Sequence, residues 1–251
     1  MAYKEYKPSD ELKMFIKCFW IMEKDYSINS RNKGLEFLWP TGLTEILYII
    51  GNKFEYLNGE SEEILSNEII IGAYNKRFIL RKEGKVKIIW VRCYNHGANT
   101  LFNVDLNSLI NKINKYELRD IYEEILYSKD NNEIVDYLNR YCSNFIRNDE
   151  FSKVLHKIYT EDNISLQELA KESNLSLRQF ERKVKKFTGF TPKQLVTIVR
   201  FDRARKTMLF TKDYIQVMTD LGYYDYFHFS KDFKKYFSIT PKEFIDIYNR
   251  Y

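Results

Sequence analysis

Two kinds of hydrophobic periodicity divide the chain. Up to about residue 97 the apolar residues fall in short runs rich in Ile, Val, Tyr and Trp: 35–39, 43–50 (LTEILYII), 67–73 (NEIIIGA), 76–82 and 85–94 (KVKIIWVRCY). Pro40-Thr41-Gly42, Gly51-Asn52, Asn58-Gly59 and Gly84 punctuate them. β-Branched and aromatic runs between turn residues predict strands, and several in succession predict a small barrel or sandwich. Residues 11–24 begin with helical spacing and run into a stretch that reads as a strand. No helix-length element alternates with the strands, which argues against a parallel βαβ sheet.

After Gly97 the period lengthens. Leu106, Leu109, Ile110 and Ile113 recur at three and four residues, as do Ile121, Ile125 and Leu126, and then Ile134, Val135, Leu138, Tyr141 and Phe145. This spacing predicts amphipathic helices from there to the end. The polar segment 147–153 reads as the boundary between halves.

The second half repeats itself. KKFTGFTPKQL (185–195) and KKYFSITPKEF (234–244) match at an offset of 49, with five of eleven positions identical. Phe180 and Phe229 match at the same offset. Two copies of one supersecondary unit follow from this. In the first, Ile164, Leu166, Leu169 and Ala170 predict a short helix, and the chain turns at Ser173-Asn174. Ser176 is placed to cap the next helix, which buries Phe180, Val184 and Phe187. Gly189 ends that helix, and Thr191-Pro192 opens another. The second copy runs over 214–221, turns at Gly222 and caps at Asp225. Its second helix buries Phe229 and Phe233. Each copy reads as a helix-turn-helix, and residues 192–209 as a helix of about 27 Å between them.

Charge supports that reading. Residues 151–251 hold 19 Lys and Arg against 12 Asp and Glu, whereas residues 1–150 hold 21 against 23. Within 176–205 there are nine basic residues against Glu181 and Asp202. Such a local surplus points to a polyanionic partner.

The segment from Ser165 to Leu209, followed by LGYYDYFHFSKDFKKYFSITPKEF, resembles the DNA-binding domain of AraC/XylS-type transcription regulators over about residues 155–248. The signature is Gly222, Tyr223, Asp225, His228, Phe229, Ser230, Lys231, Phe233 and Lys234, with Thr240-Pro241 beyond. Met218 departs from the small Ala usual there, and Val184 from the usual Phe. More loosely, 35–51, 69–80 and 88–103 are similar to the cupin-like sensor domain of some of these regulators.

The resemblance implies an α+β chain. An N-terminal small β-barrel (cupin-like) with helices would span 1–105. A helical linker or dimerisation segment would span 106–152. An all-α domain of two helix-turn-helix units joined by a long helix would span 153–251. It also implies that Arg178, Glu181, Arg182, Tyr226, Phe227, Ser230 and Lys231 face bases. Ser176, Lys185, Lys186, Lys193, Lys234, Lys235 and Lys242 are expected at phosphates. The rings Tyr226 and Phe227 cannot make bidentate hydrogen bonds. Either they meet thymine methyls, or the second unit binds mostly through the DNA backbone. His228 is expected to be structural.

The expected partners are double-stranded promoter DNA, RNA polymerase, a small-molecule effector and a second copy of the chain through residues 106–146 (Leu106, Leu109, Ile110, Ile113 and their successors), packing of that stripe against the chain's own barrel being the competing reading. Trp20, Trp39, Tyr48, Trp90 and Tyr94 are candidates for lining an effector pocket, ordinary core being the competing reading. No cofactor, catalytic residue or metal site is expected. Cys18, Cys93 and Cys142 form no CxxC pair, and His96, His156 and His228 lie far apart. A cupin-type enzyme, or an alkyl acceptor built on cysteines, lacks the residues it needs. A protein-interaction module in place of the sensor remains open. No apolar run approaches the roughly 18–20 residues a membrane helix needs, and the N-terminus has no apolar signal core, so the expected location is the cytoplasm.

Overall fold

The structure, a computed structural model, describes residues 2–27, 34–58, 61–147 and 150–249. Gly59 of the predicted Asn58-Gly59 turn, and 148–149 of the predicted boundary, lie outside them.

Among the described residues, ten strands form two antiparallel sheets. They are β1 (Ala2–Tyr6), β2 (Ile16–Asp25), β3 (Leu35–Leu38), β4 (Leu43–Gly51), β5 (Phe54–Asn58), β6 (Ser61–Ile64), β7 (Glu68–Ile71), β8 (Phe78–Lys82), β9 (Lys85–Tyr94) and β10 (Ile113–Lys115). One sheet has the order β1-β2-β9-β4-β7-β10 and the other β3-β8-β5-β6. The sheets do not close on each other, so the predicted barrel is corrected to two facing sheets. The fold class is mixed α+β.

The larger sheet is covered on both faces. Along β9, Ile88 and Trp90 face the smaller sheet with Leu47, Ile49, Phe54, Phe78 and Leu80. Ile89, Val91 and Cys93 face the other way, into a core with Ile46, Tyr48, Leu138 and Cys142. Burial on both faces is why this strand reads as a continuous apolar run. Helices α1 (Asn95–Phe102), α2 (Arg119–Tyr127) and α3 (Asn131–Ser143) close that second face.

The stretch from Leu106 to Ile113 is not a helix. It turns over 106–111 and enters β10, which pairs with β7. The Asn111 N–H donates to the Ala73 carbonyl at 3.0 Å. The turn presses so closely that a Cβ on Gly72 would lie 2.3 Å from the Leu109 carbonyl oxygen. Leu106 and Leu109 pack in the sheet-and-helix core, while Ile110 packs against the C-terminal domain. The predicted dimer stripe is therefore divided among interior contacts.

The C-terminal domain comprises α4 (Glu150–Thr160), α5 (Leu166–Glu172), α6 (Leu177–Thr188), α7 (Pro192–Thr211), α8 (Tyr214–Asp220), α9 (Tyr226–Phe237) and α10 (Pro241–Asn249). Ser176 forms a capping box with Gln179 at the start of α6, and Gly189 ends α6 at φ 77°. That left-handed conformation carries little penalty for glycine. Thr191 and Gln194 form a second box, with Pro192 at the first position of α7.

The C-terminal core takes in residues of the N-terminal half. Trp39, from the turn after β3, sits in the C-terminal core with its ring 5.3 Å from Phe244 and 6.0 Å from Phe237. No helix among the described residues is long and apolar enough to cross a membrane.

Candidate nucleic-acid interface

Each unit is a short helix, a turn and a longer helix: α5–α6 and α8–α9. Equivalent backbone bonds align them. Leu175 N–H donates to Ala170 O, and Tyr223 N–H to Met218 O, both at 3.0 Å. Asn174 (φ 53°) and Gly222 (φ 75°) occupy the same left-handed turn position. These pairs are 48 residues apart, whereas the caps Ser176 and Asp225 are 49 apart. The second turn is one residue longer, and Tyr224, fully exposed, is the extra residue. Met218 takes the place of Ala170 and is partly buried, yet the turn closes through the same bond.

On α6 the face made by Phe180, Val184 and Thr188 is buried. Arg178, Glu181, Arg182, Lys185 and Lys186 are exposed. Val184 is fully buried in place of a larger ring, and the Lys183 ammonium lies 4.0 Å over the Phe151 ring. On α9 the buried residues are Phe229, Phe233, Tyr236 and Phe237. Tyr226, Phe227, Lys231, Lys234 and Lys235 are exposed, and Ser230 is half-buried. Lys193 and Lys242 are exposed at matching positions just inside α7 and α10.

Ser176, expected at a phosphate, and His228, expected to be structural, are both engaged locally. The Ser176 hydroxyl donates to Gln179 Oε1 at 2.8 Å within its capping box. His228, exposed, places Nδ1 2.8 Å from Asp225 Oδ2 at the N-cap of α9. α7 carries a buried ionic knot: Asp202 accepts from Arg205 at 2.6 Å and also from Lys206. Burial opposes the Asp202 charge, but the Arg205 and Lys206 cations hold its carboxyl below the ordinary value.

The seam with the N-terminal domain reaches the end of α6. Asn95 Nδ2 donates to Thr188 O at 3.1 Å, and Asn107 Nδ2 donates to Lys186 O at 3.3 Å. Asn95 is fully buried and accepts from Thr44 Oγ1 at 2.9 Å. Sequence reasoning missed both asparagines, because neither lies in a periodic run and a lone amide carries no spacing signal for its partner.

The five aromatic residues expected at an effector pocket do not converge. Trp20 and Trp90 meet, with ring centroids 6.3 Å apart. Tyr48 is buried on the opposite face of that sheet. Trp39 belongs to the C-terminal core, and Tyr94 stacks in the seam with His96, His156 and Tyr159. These residues therefore line no common cavity. Beside Trp90 the space between the sheets holds the Lys82 ammonium, which pairs with Glu36. It lies 4.7 Å from the Phe54 ring, 5.2 Å from Trp90 and 5.6 Å from Tyr26. The alternation of β8 does carry a signal for this: Phe78, Leu80 and Lys82 share its inward face. Among the described residues, no group of three or more His, Cys, Asp or Glu is placed to hold a metal ion.

Comparison with known proteins follows these boundaries. A helix-turn-helix domain family matches residues 169–246, and a domain family of unknown function matches residues 4–115. The chain is 37% identical over 84 residues to the transcriptional activator RhaS of Mannheimia succiniciproducens, covering 33% of this chain and 31% of that protein. It is 32% identical over 84 residues to the transcriptional regulator ArgR of Pseudomonas aeruginosa, covering 33% and 26%. It is 29% identical over 85 residues to the lactose operon transcription activator of Staphylococcus xylosus, covering 34% and 30%. The chain thus spans between about a quarter and a third of the length of these curated relatives.

Among solved structures it is similar to apo ToxT from Vibrio cholerae, at 14% identity and a TM-score of 0.49, over 91% of this chain and 97% of that one. It is also similar to ToxT bound to an unsaturated fatty acid, at 17% identity and a TM-score of 0.46, over 90% and 94%. The C-terminal region is a double helix-turn-helix domain. It is of the AraC/XylS type, as its signature residues imply.

Proposed function

We propose that this chain is a sequence-specific transcription regulator that binds promoter DNA with α6 and α9 in successive major grooves. One observation carries the reading. Two helices with equivalent turns, caps and buried faces present exposed side chains, and a 20-residue helix joins their units. At 1.5 Å per residue α7 spans about 30 Å, close to the roughly 34 Å between successive grooves on one DNA face. Arg178, Glu181 and Arg182 read bases from the first unit, and Tyr226, Phe227, Ser230 and Lys231 from the second. The six lysines at 185, 186, 193, 234, 235 and 242, with the α6 N-terminus at Ser176, hold phosphates. Activation through RNA polymerase is the mode suggested by the relatives named as activators.

The test is duplex binding by the full chain as salt is varied. Binding should weaken steeply with salt, because each phosphate contact releases counterions. No binding to any duplex at low salt overturns the proposal.

The N-terminal domain acts on the DNA-binding units through the seam at Asn95, Asn107 and Trp39. A second reading, that it takes no small molecule between its sheets and serves as a scaffold or protein contact, is favoured by the Lys82 ammonium seated there. Thermal shift against a metabolite collection tests it, since a ligand of the native state raises its stability. A metabolite that raises the Tm of wild type but not of Trp90→Ala overturns the scaffold reading.

A further inference from the structure

We infer that the second recognition helix reads thymine through the C5-methyl group, with Phe227 as the specificity-determining residue and Tyr226 beside it. The inference rests on the DNA-binding reading above and assigns the chemistry of its second half-site.

The repeat supplies an internal comparison. With Ser176 and Asp225 aligned as caps, Leu177 corresponds to Tyr226, Arg178 to Phe227 and Arg182 to Lys231. At one position the first unit thus offers a guanidinium and the second a phenyl ring. That ring is 72% exposed. Tyr226, 38% exposed, is braced by Tyr214, whose ring centroid is 5.2 Å away. Tyr224 stands fully exposed just before the cap.

Three exposed rings lie at one helix start, and exposed aromatic surface gains free energy when it is covered. Charge indicates what covers it. Lys231, Lys234 and Lys235 are exposed further along α9, and the acidic neighbours are engaged locally. Asp225 caps α9 and pairs with His228, while Asp232 accepts from the Tyr223 hydroxyl at 2.7 Å. An apolar tip followed by exposed cations fits a polyanion with an apolar feature in its groove. A phenyl ring neither donates nor accepts a hydrogen bond. Among the base edges of the major groove only the thymine methyl is apolar.

The experiment starts from selection of a random duplex library on the full chain, followed by affinity measurements on a selected duplex. Thymine should be enriched in one half-site and guanine in the other. Replacing those thymines by deoxyuridine removes only the methyl groups, and should weaken wild-type binding by about three- to tenfold. Phe227→Ala should still bind, with an unchanged salt slope, but should no longer distinguish thymine from deoxyuridine. Phe227→Arg should shift the preference of that half-site toward guanine. Because residue 227 is exposed, neither change threatens folding.

Equal affinity for thymine and deoxyuridine duplexes overturns the inference. So does a Phe227→Ala variant with unaltered affinity and sequence preference, which would assign the rings to a protein contact instead. Both outcomes leave the regulator reading standing. A library from which the full chain enriches nothing overturns the regulator reading, and this inference with it.

Discussion

Asn95, at the start of the helix that follows the sheet, donates its side-chain amide to the carbonyl of Thr188, the last residue of the first recognition helix, at 3.1 Å. The donor lies in the N-terminal domain and the acceptor in the DNA-binding domain, 93 residues apart. The last carbonyls of a helix have no partner within it. Here a residue of the other domain supplies one, so the orientation of α6 depends on the N-terminal domain. Asn95→Leu should strand a buried carbonyl and a buried Thr44 hydroxyl, at a cost of about 1–3 kcal/mol. Thermal unfolding of the full chain measures this, and an unchanged Tm would contradict it.

Trp39 makes a second link of the same kind. Its ring sits between Phe237 and Phe244, so the N-terminal domain completes the core that supports the second unit. Trp39→Ala should cost about 3–5 kcal/mol, the range for removing a buried aromatic ring. The loss should appear in the C-terminal helices, read as faster amide exchange in α9 and α10. Loss of protection confined to the sheets would show that the seam is only superficial.

The contrast between the halves follows from where their signals lie. Ser176, Gly189 and Thr191-Pro192 specify caps and ends within a few residues, and the repeat fixed which positions correspond. The strands at 43–51 and 85–94 were visible because both faces are buried. The 106–113 segment misled because Leu106, Leu109, Ile110 and Ile113 recur at helical spacing for another reason. Leu106 and Leu109 point into one core, Ile110 into another, and Ile113 lies on a strand. Periodicity in so short a run does not distinguish these origins. Trp39 gave no local sign that its partners stand some 200 residues further on. The one-residue extension of the second turn was hidden by matching the repeat at a single offset.

Leu106 is fully buried in the sheet-and-helix core. Leu106→Glu would bring an unpaired carboxylate into that core, and should destabilise the fold by more than about 3 kcal/mol. Circular dichroism should show loss of the native state rather than a well-folded monomer. A variant that stays folded with altered sedimentation would instead assign Leu106 to a dimer face.

His156, on α4, is half-buried against Tyr94, with ring centroids 4.7 Å apart, and lies 6.2 Å from the His96 ring. Burial holds its imidazole below the ordinary value of 6.5. Just below that value the unfolded chain takes up a proton that the folded chain refuses, so stability falls as the pH drops. Asp202 loses its contribution only on further acidification, toward the ordinary carboxylate range. The Tm should therefore decline from pH 7.5 to 5.5, and decline less in His156→Phe. Equal slopes for the two proteins would remove His156 as the cause.

Arg182 and Lys235 separate the two tasks of the interface. Arg182 is exposed on α6 one turn beyond Arg178, and Lys235 is exposed near the end of α9. A guanidinium presents a fork of donors that matches O6 and N7 of guanine, whereas an ammonium is a point charge suited to phosphate. Arg182→Ala should cost about 1–3 kcal/mol on the selected duplex and little on unrelated duplexes, which relaxes specificity. Lys235→Ala should weaken all duplexes alike and lower the salt slope by about one contact. Affinities measured on a selected and a scrambled duplex at several salt concentrations resolve both effects. Equal loss of specificity in the two variants would rule out this division.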